Sequence, residues 1–151
     1  MGYAVLHIDK ARSNDSGNTA HIARTYTPSN VDPSRTHLNR ELVQFPANVT
    51  NRSEAIEHRI ATAGIYRKVA KNQVKALRFI LSSSPKDMAR IEQEGHLYEW
   101  CDESMDWLRS TFGADNVVAA TLHADEDTPH IHATVVPIVT GERRKAKEEA
   151  E

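Results

Sequence analysis

The sequence predicts an α+β domain in which helices pack on an antiparallel sheet. Apolar segments rich in strand-forming residues alternate with longer segments of helical periodicity. The last two strands are joined by a short polar turn, which is typical of a hairpin. The chain has 151 residues, of which 39% are hydrophobic and 26% are charged. This composition suits one globular domain and excludes a fibrous or wholly disordered chain.

Each element follows from its apolar spacing and its end signals. Strands are predicted at residues 3–9, 73–81, 117–123 and 130–138. Helices are predicted at residues 17–26, 53–63 and 86–112. Asn51 or Ser53 can cap the second helix, and Pro85 can occupy the first position of the third, after Ser84. Residues 27–38 contain two prolines and are predicted to form a loop.

The chain has few signals of export or membrane insertion. Its apolar runs are too short for a membrane span, and its first ten residues lack the pattern of a secretory signal. The single cysteine, Cys101, cannot form an internal disulfide, which fits a reducing compartment and predicts a cytoplasmic location. Residues 1–140 are expected to form the domain. Residues 141–151 are expected to be a charged tail or the start of a further segment.

Charge is distributed unevenly along the chain, although the net charge is only −2. Residues 47–78 contain seven basic and two acidic side chains, whereas residues 79–115 contain three basic and eight acidic ones. A local positive patch can follow a phosphate backbone even when the domain is nearly neutral. A solvated helix face is the alternative interpretation.

Three histidines around the predicted hairpin indicate a metal site. His130 and His132 are two residues apart on a strand and therefore point to the same face, and His123 ends the partner strand. Three neutral imidazoles leave coordination positions open, as catalytic metal centres do. A purely structural trio is the alternative. The acidic turn 125–127 can act as a base or orient a histidine, although turns favour aspartate in any case.

The segment His-Ala-Asp-Glu-Asp-Thr-Pro-His-Ile-His at 123–132 resembles the metal motif of the Mob/Pre (MobV-type) plasmid mobilisation relaxases and recombination enzymes, of the HUH endonuclease group. Residues 32–39, Asp-Pro-Ser-Arg-Thr-His-Leu-Asn, are similar to the family's second motif, and the pair Glu41-Leu42 follows them as it does there. Asp32 stands where the family has asparagine.

Two shorter matches accompany these motifs. His21 and Arg24 resemble the first motif of the family, and Arg67-Lys68 resembles a basic pair used near the scissile phosphate. All the matches run in family order over residues 1–140. Because relaxase domains of the family extend further, the chain is expected to be truncated at its C-terminal end.

The resemblance implies an HUH relaxase-like fold and a metal-dependent DNA-nicking and joining enzyme. Such an enzyme cuts one strand of plasmid DNA at the transfer origin, keeps the 5′ phosphate covalently attached and can rejoin the strand, as conjugative mobilisation requires. The implied cofactor is one divalent ion, Mn²⁺ before Mg²⁺, held by three imidazoles without a carboxylate. The implied partner is single-stranded and hairpin origin DNA. Any contact with the coupling machinery is assigned to regions outside this chain.

The resemblance also assigns catalytic roles. His21 is the expected nucleophile, and Arg24 is expected to share its helix face and bind the phosphate. Tyr26 is the alternative nucleophile, followed by Tyr66. On a continuous helix Tyr26 lies about 140° away from His21, so both can face the metal only if the helix ends between them. Glu126 is expected to orient an imidazole or accept its proton.

DNA contacts are expected from the second motif and from the basic segment. The candidate residues are Arg35, Asn39, Arg67 and Lys71. Two other functions stay open for the chain. One is a non-catalytic origin-DNA-binding protein with a structural metal, and the other is a phosphoesterase that uses metal-bound water.

Overall fold

Five antiparallel strands form the centre of the fold. The structure is a computed structural model that describes residues 4–11, 15–64 and 73–138. The strands are β1 Ala4–Ala11, β2 Arg40–Glu41, β3 Ala76–Ser83, β4 Val117–His123 and β5 His130–Val135. Their order across the sheet is β1-β3-β5-β4-β2, and all neighbouring pairs are antiparallel. The predicted α+β class and the closing hairpin are confirmed.

In the described ranges, four α-helices flank the sheet. They are α1 Ser16–Ala23, α2 Arg52–Thr62, α3 Pro85–Gln93 and α4 Leu97–Phe112. The side chain of Asn51 caps α2 by accepting a hydrogen bond from the backbone N–H of Glu54. Ser84 caps α3 in the same way, and Pro85 occupies its first turn. Asn51 rather than Ser53 is therefore the cap of α2.

Several predicted boundaries are wrong. The single helix predicted over 86–112 is two helices, because Gly95 adopts a φ of +76° between them. The predicted loop 27–38 contains a 3-10 helix, Pro33–Leu38, which begins at a proline that cannot continue a preceding helix. Strand β2 was not predicted, because two residues are too few to give an alternating pattern.

The two faces of the sheet carry different partners. On one face α3 and α4 bury an apolar core that includes Phe79, Leu108 and Ile131. On the other face α2 packs through Ile56 against a second cluster that includes Val118. The side chains of His130 and His132 belong to the second face, which is also the side of α1.

Some predictions fall on residues outside the described ranges. Arg67, Lys68 and Lys71 lie there, as do Tyr66 and the charged tail 141–151. Among the helices of the described ranges, none has the length and apolar character needed to cross a membrane.

Candidate active site

The β4–β5 hairpin brings its three histidines together, as their spacing predicts. His123 is paired with His130 across the ladder, and His132 follows on the same face. The ring centroid of His123 lies 5.4 Å from that of His130 and 4.7 Å from that of His132. The ring centroids of His130 and His132 are 4.9 Å apart. The cluster is therefore built entirely on two adjacent strands, which fixes its geometry.

Backbone carbonyls select which ring nitrogens face the centre of the cluster. Nε2 of His123 lies 2.8 Å from the carbonyl oxygen of Ile22, and Nδ1 of His130 lies 2.8 Å from that of Thr128. A carbonyl can only accept, so both of these nitrogens carry the proton and donate. The opposite nitrogens, Nδ1 of His123 and Nε2 of His130, then present lone pairs to the cluster.

The inner nitrogens fit a cation. Nδ1 of His123 is buried, and no described residue gives it a hydrogen bond. Nε2 of His130 lies 3.2 Å from Nε2 of His132. Burial lowers the pKa of His123 to about 4 and that of His132 to about 2, and neighbouring imidazoles act in the same direction. Neutral imidazoles are the form that binds a metal ion.

Glu126 adds a carboxylate to this donor set. Its Oε2 lies 3.4 Å from Nδ1 of His123 and 3.2 Å from Nε2 of His130. The ligand atoms of Glu126 and the three histidines all lie within 4.8 Å of one another. Glu126 therefore lies close enough to be a fourth ligand, and coordination by the three imidazoles alone stays a prediction. Because the contacts of Glu126 are with the cluster, its action as a proton acceptor for His21 stays a prediction.

Glu126 is held in place through both of its oxygens. Arg24 donates to Oε2 at 2.8 Å, and the side-chain amide of Asn30 donates to Oε1 at 2.8 Å. The carboxylate therefore has a fixed direction before any ligand arrives. From the sequence, Asn30 was predicted only to be a polar residue of the loop 27–38, between its two prolines.

Asp125 is the centre of a buried polar network. Arg24 donates to both of its oxygens at 2.9 Å, while Thr36 donates at 2.9 Å and Asn39 at 3.0 Å. Burial alone raises the pKa of a carboxyl group, but these hydrogen bonds outweigh it and hold the pKa of Asp125 well below its usual range. The network joins the end of α1 and the second motif to the turn between β4 and β5, residues 124–129. We call this segment the metal-binding turn.

The predicted place of Arg24 on the helix face of His21 is wrong, and its binding of a phosphate stays a prediction. Arg24 is not on the helix, because α1 ends at Ala23 and Arg24 adopts a left-handed conformation with φ of 58°. Its guanidinium is engaged by the carboxylates of Asp125 and Glu126, where a phosphate was expected. Planar fork geometry suits a carboxylate as well as a phosphate, so the residue type alone could not separate the two.

Arg35 and Asn39 were predicted to contact DNA. In the structure their side chains form hydrogen bonds with the metal-binding turn. Nε of Arg35 donates to the carbonyl oxygen of Ala124 at 2.9 Å, and its terminal nitrogen pairs with Glu92 at 3.0 Å. Asn39 accepts from the backbone N–H of Ala124 at 2.7 Å while donating to Asp125. The second motif thus shapes the loop beside the cluster, and its DNA contacts stay a prediction.

His21 lies beside the histidine cluster. Its ring centroid is 6.4 Å from that of His132, with the two rings nearly perpendicular. His21 also contacts Tyr26, whose hydroxyl oxygen lies 3.3 Å from Nδ1 of His21. Helix α1 ends between the two residues, which is the condition under which both can face the site.

The comparisons with known proteins agree with this geometry. The family model described as plasmid recombination enzyme, Mob_Pre, matches residues 1–151. A plasmid recombination enzyme type 3 of Staphylococcus aureus is 32% identical over 156 residues, and the match covers 98% of this chain but 37% of that protein. A plasmid recombination enzyme of Streptococcus agalactiae is 24% identical over 145 residues, which cover 93% and 29% of the two chains. The chain thus spans 37% and 29% of the lengths of these two curated relatives.

Solved structures give the same answer for the fold. A MobM relaxase domain bound to 22 nucleotides of plasmid pMV158 oriT DNA, in a Mn-bound crystal structure, has a TM-score of 0.80 and 27% identity, over 93% of this chain and 73% of that chain. A second such structure, bound to 23 nucleotides, has a TM-score of 0.77 and 26% identity, over 93% and 71% of the chains. The chain therefore belongs to the Mob/Pre family of plasmid recombination enzymes.

Proposed function

We propose that this chain is the metal-dependent nicking and joining part of a plasmid relaxase. Its substrate is single-stranded and hairpin DNA at the transfer origin, and its reaction leaves the 5′ phosphate attached to the protein. The observation that carries the proposal is the position of His21, whose ring lies 6.4 Å from that of His132 at the edge of the histidine cluster. The similarity to relaxase domains bound to oriT DNA supports the same substrate.

The histidine cluster is suited to hold one divalent ion. His123, His130 and His132 supply neutral imidazoles, and Glu126 lies among them. Mn²⁺ is the first candidate and Mg²⁺ the second, because the similar MobM relaxase domains are Mn-bound. When bound, such an ion neutralises the negative charge that grows on the phosphate oxygens in the transition state.

The protein's own residues carry the covalent step. An imidazole nitrogen of His21 attacks the scissile phosphorus, and an N–P bond forms as the bond from phosphorus to the 3′ oxygen breaks. The electron pair leaves with the 3′ oxygen, which takes a proton from water. The same step in reverse rejoins the strand, because the attached phosphate keeps a bond that the 3′ hydroxyl can attack. Arg24 keeps Glu126 aimed at the cluster throughout.

The whole relaxase acts in a wider setting than this chain. Its location in the bacterial cytoplasm, where plasmid DNA is processed, follows from the proposed substrate. Contact with the conjugation coupling machinery is assigned to regions outside this chain, which spans 37% of the length of the staphylococcal relative.

The proposal is tested with a supercoiled plasmid that carries the cognate origin. Incubated with Mn²⁺ and analysed on a denaturing gel, the chain should convert the plasmid to nicked circles with protein attached to the 5′ end. A phosphoramidate is labile in acid and survives alkali, so acid should release the protein. DNA bound tightly but not nicked supports a non-catalytic origin binder. A free 5′ phosphate supports a water-using phosphoesterase.

Two substitutions separate the nucleophile from the metal site. His21→Ala should abolish the adduct and leave Mn²⁺ binding, measured by the electron paramagnetic resonance of the free ion, intact. His132→Ala should weaken Mn²⁺ binding and slow nicking by about 100-fold, with DNA affinity largely retained because phosphate contacts elsewhere dominate it. His96→Ala, on the opposite side of the sheet, is the matched control. An acid-stable adduct that is lost in Tyr26→Phe assigns the nucleophile to tyrosine.

A further inference from the structure

We infer that Tyr26 is a positioning residue for His21, whose hydroxyl keeps the imidazole proton on Nδ1 so that Nε2 presents its lone pair to the phosphate. The inference rests on the proposed function, in which His21 attacks the scissile phosphorus. It gives Tyr26 a role in the reaction that differs from that of an alternative nucleophile.

The contact between the two side chains is direct. The hydroxyl of Tyr26 lies 3.3 Å from Nδ1 of His21, and the ring centroids are 6.2 Å apart with a tilt of 56°. His21 also meets the ring of His132 at 6.4 Å. Its ring therefore contacts both the tyrosine and one histidine of the cluster. Since Nδ1 is used by the tyrosine, Nε2 is the nitrogen left for the substrate.

The end of α1 is built in a way that returns Tyr26 to His21. On a continuing helix the two side chains would lie about 140° apart. Instead Arg24 adopts a left-handed conformation, with φ of 58° and ψ of 40°, and the N–H of Thr25 reaches back to the carbonyl of Ala20 at 3.1 Å. This backbone conformation costs energy in a residue other than glycine.

The contacts of Arg24 stabilise this backbone turn at the end of α1. Its guanidinium binds Asp125 with two hydrogen bonds and Glu126 with a third. It also donates to the carbonyl of His21 at 2.8 Å. One turn therefore directs Arg24 to the hairpin and Tyr26 to the nucleophile, so the orientation of His21 is coupled to the metal-binding turn.

The tautomer decides whether a neutral imidazole can attack. The ring has one N–H and one lone pair, and the hydrogen bond made by one nitrogen selects the role of the other. If Nδ1–H donates to the phenol oxygen, Nε2 can form the bond to phosphorus while the bond to the 3′ oxygen breaks. The electron pair leaves on that oxygen, which takes a proton from water. The phosphorylated imidazole ring then carries a positive charge, and its Nδ1–H group faces the oxygen of Tyr26.

The first test measures the tautomer itself, without DNA. Long-range ¹H–¹⁵N spectra at about pH 8.5, above the ordinary imidazole pKa, distinguish the two neutral tautomers. The His21 signals are assigned by their loss in His21→Asn. We expect the Nδ1–H form in the unsubstituted chain and a shift towards the Nε2–H form in Tyr26→Phe. Tyr98→Phe is the matched control, because Tyr98 is 50% exposed and Tyr26 52%, and Tyr98 lies on α4. An Nε2–H form in the unsubstituted chain, or an unchanged spectrum in Tyr26→Phe, overturns the inference.

The second test measures the reaction. In single-turnover nicking of the cognate origin DNA, Tyr26→Phe should lower the rate by about 10- to 100-fold, the usual effect of removing a group that orients a reacting side chain. Its DNA dissociation constant should stay unchanged, and its adduct should still be acid-labile. An unchanged rate overturns the inference. A chain that fails to nick in every form contradicts the proposed function instead, and the tautomer spectra then decide the inference.

Discussion

Asp125 accepts four side-chain hydrogen bonds beside the histidine cluster. It is fully buried, and hydrogen bonds from Arg24, Thr36 and Asn39 converge on its two oxygens. Arg24 follows α1, whereas Thr36 and Asn39 both belong to the second motif, so one carboxylate fixes the relative positions of these two segments. A buried charge with this many partners is costly to leave incomplete.

Asp125→Asn should destabilise the fold by about 3 kcal/mol, because it leaves the guanidinium of Arg24 without its main carboxylate. The loss should depend on pH. The folded state lowers the pKa of Asp125, so its stabilisation is complete above the ordinary aspartate pKa of about 3.9 and declines as the pH falls below it. Urea unfolding between about pH 3 and pH 7 measures both effects. Asp127→Asn, exposed in the same turn, is the control, and equal losses in the two variants would contradict the prediction.

The histidine cluster could be predicted from local residue patterns, but the hydrogen-bond network around it could not. The three histidines could be predicted because strand geometry places them on one face over a span of ten residues. Asp125 could not, since turns favour aspartate and burial leaves no local sign. Arg35 and Asn39 were predicted, from their place in the second motif, to bind DNA by shaping the loop that holds the single strand. Their partners at Ala124 lie 89 and 85 positions away in the chain, a distance that no local pattern spans.

At the scale of elements, the break between α3 and α4 shows how one residue redirects a helical segment. The apolar periodicity of residues 86–112 is broken only at Gly95, and a single helix was predicted across this residue. The left-handed φ of +76° at Gly95 ends α3, and α4 begins at Leu97. Both helices keep their apolar sides on the same face of the sheet. Periodicity reports which residues are buried, but not whether the helix axis is continuous.

Gly95→Ala should lower the free energy of unfolding by about 1 kcal/mol, because an L side chain is strained at this φ. No described atom lies within 4 Å of the added Cβ, so strain rather than a clash sets the cost. Gly95→Asn should cost less, since asparagine tolerates the left-handed region. Denaturant unfolding of both variants measures the difference. A Gly95→Ala chain that is as stable as the parent would contradict the role of this turn.

At the scale of the whole molecule, the sheet separates two electrostatic environments. Helices α3 and α4 lie on one face, within the acidic part of the sequence, while the histidine cluster, α1 and α2 lie on the other. The segment 47–78, which carries seven basic residues, includes α2 on the cluster side. Fold class and hairpin could be predicted from the sequence, because both depend on short-range patterns. The order of strands could not, since pairing of β1 with β3 depends on contacts far apart in the chain.

Binding of origin DNA should weaken steeply with salt, and the basic segment should carry much of that dependence. Arg67→Ala and Lys71→Ala should each reduce affinity and lower the slope of log K against log salt concentration by about 1. Lys86→Ala, exposed on α3 across the sheet, should change neither quantity. Fluorescence anisotropy with a labelled origin oligonucleotide over a salt series measures the slopes. Unchanged affinity and slope in both basic-segment variants would remove this segment from the DNA interface.

Two contacts at the site join residues that are 101 positions apart in the chain. One is the hydrogen bonding of Arg24 to Asp125, and the other is the hydrogen bond from His123 to the carbonyl oxygen of Ile22. During synthesis, the proposed nucleophile leaves the ribosome long before the hairpin that completes its surroundings. A nascent chain therefore carries His21 without the metal-binding turn, and it cannot cut DNA until translation has passed residue 132. Contacts of such long range also slow folding, because chain entropy is lost before they form. The candidate active site is thus completed only after the β4–β5 hairpin has been synthesised.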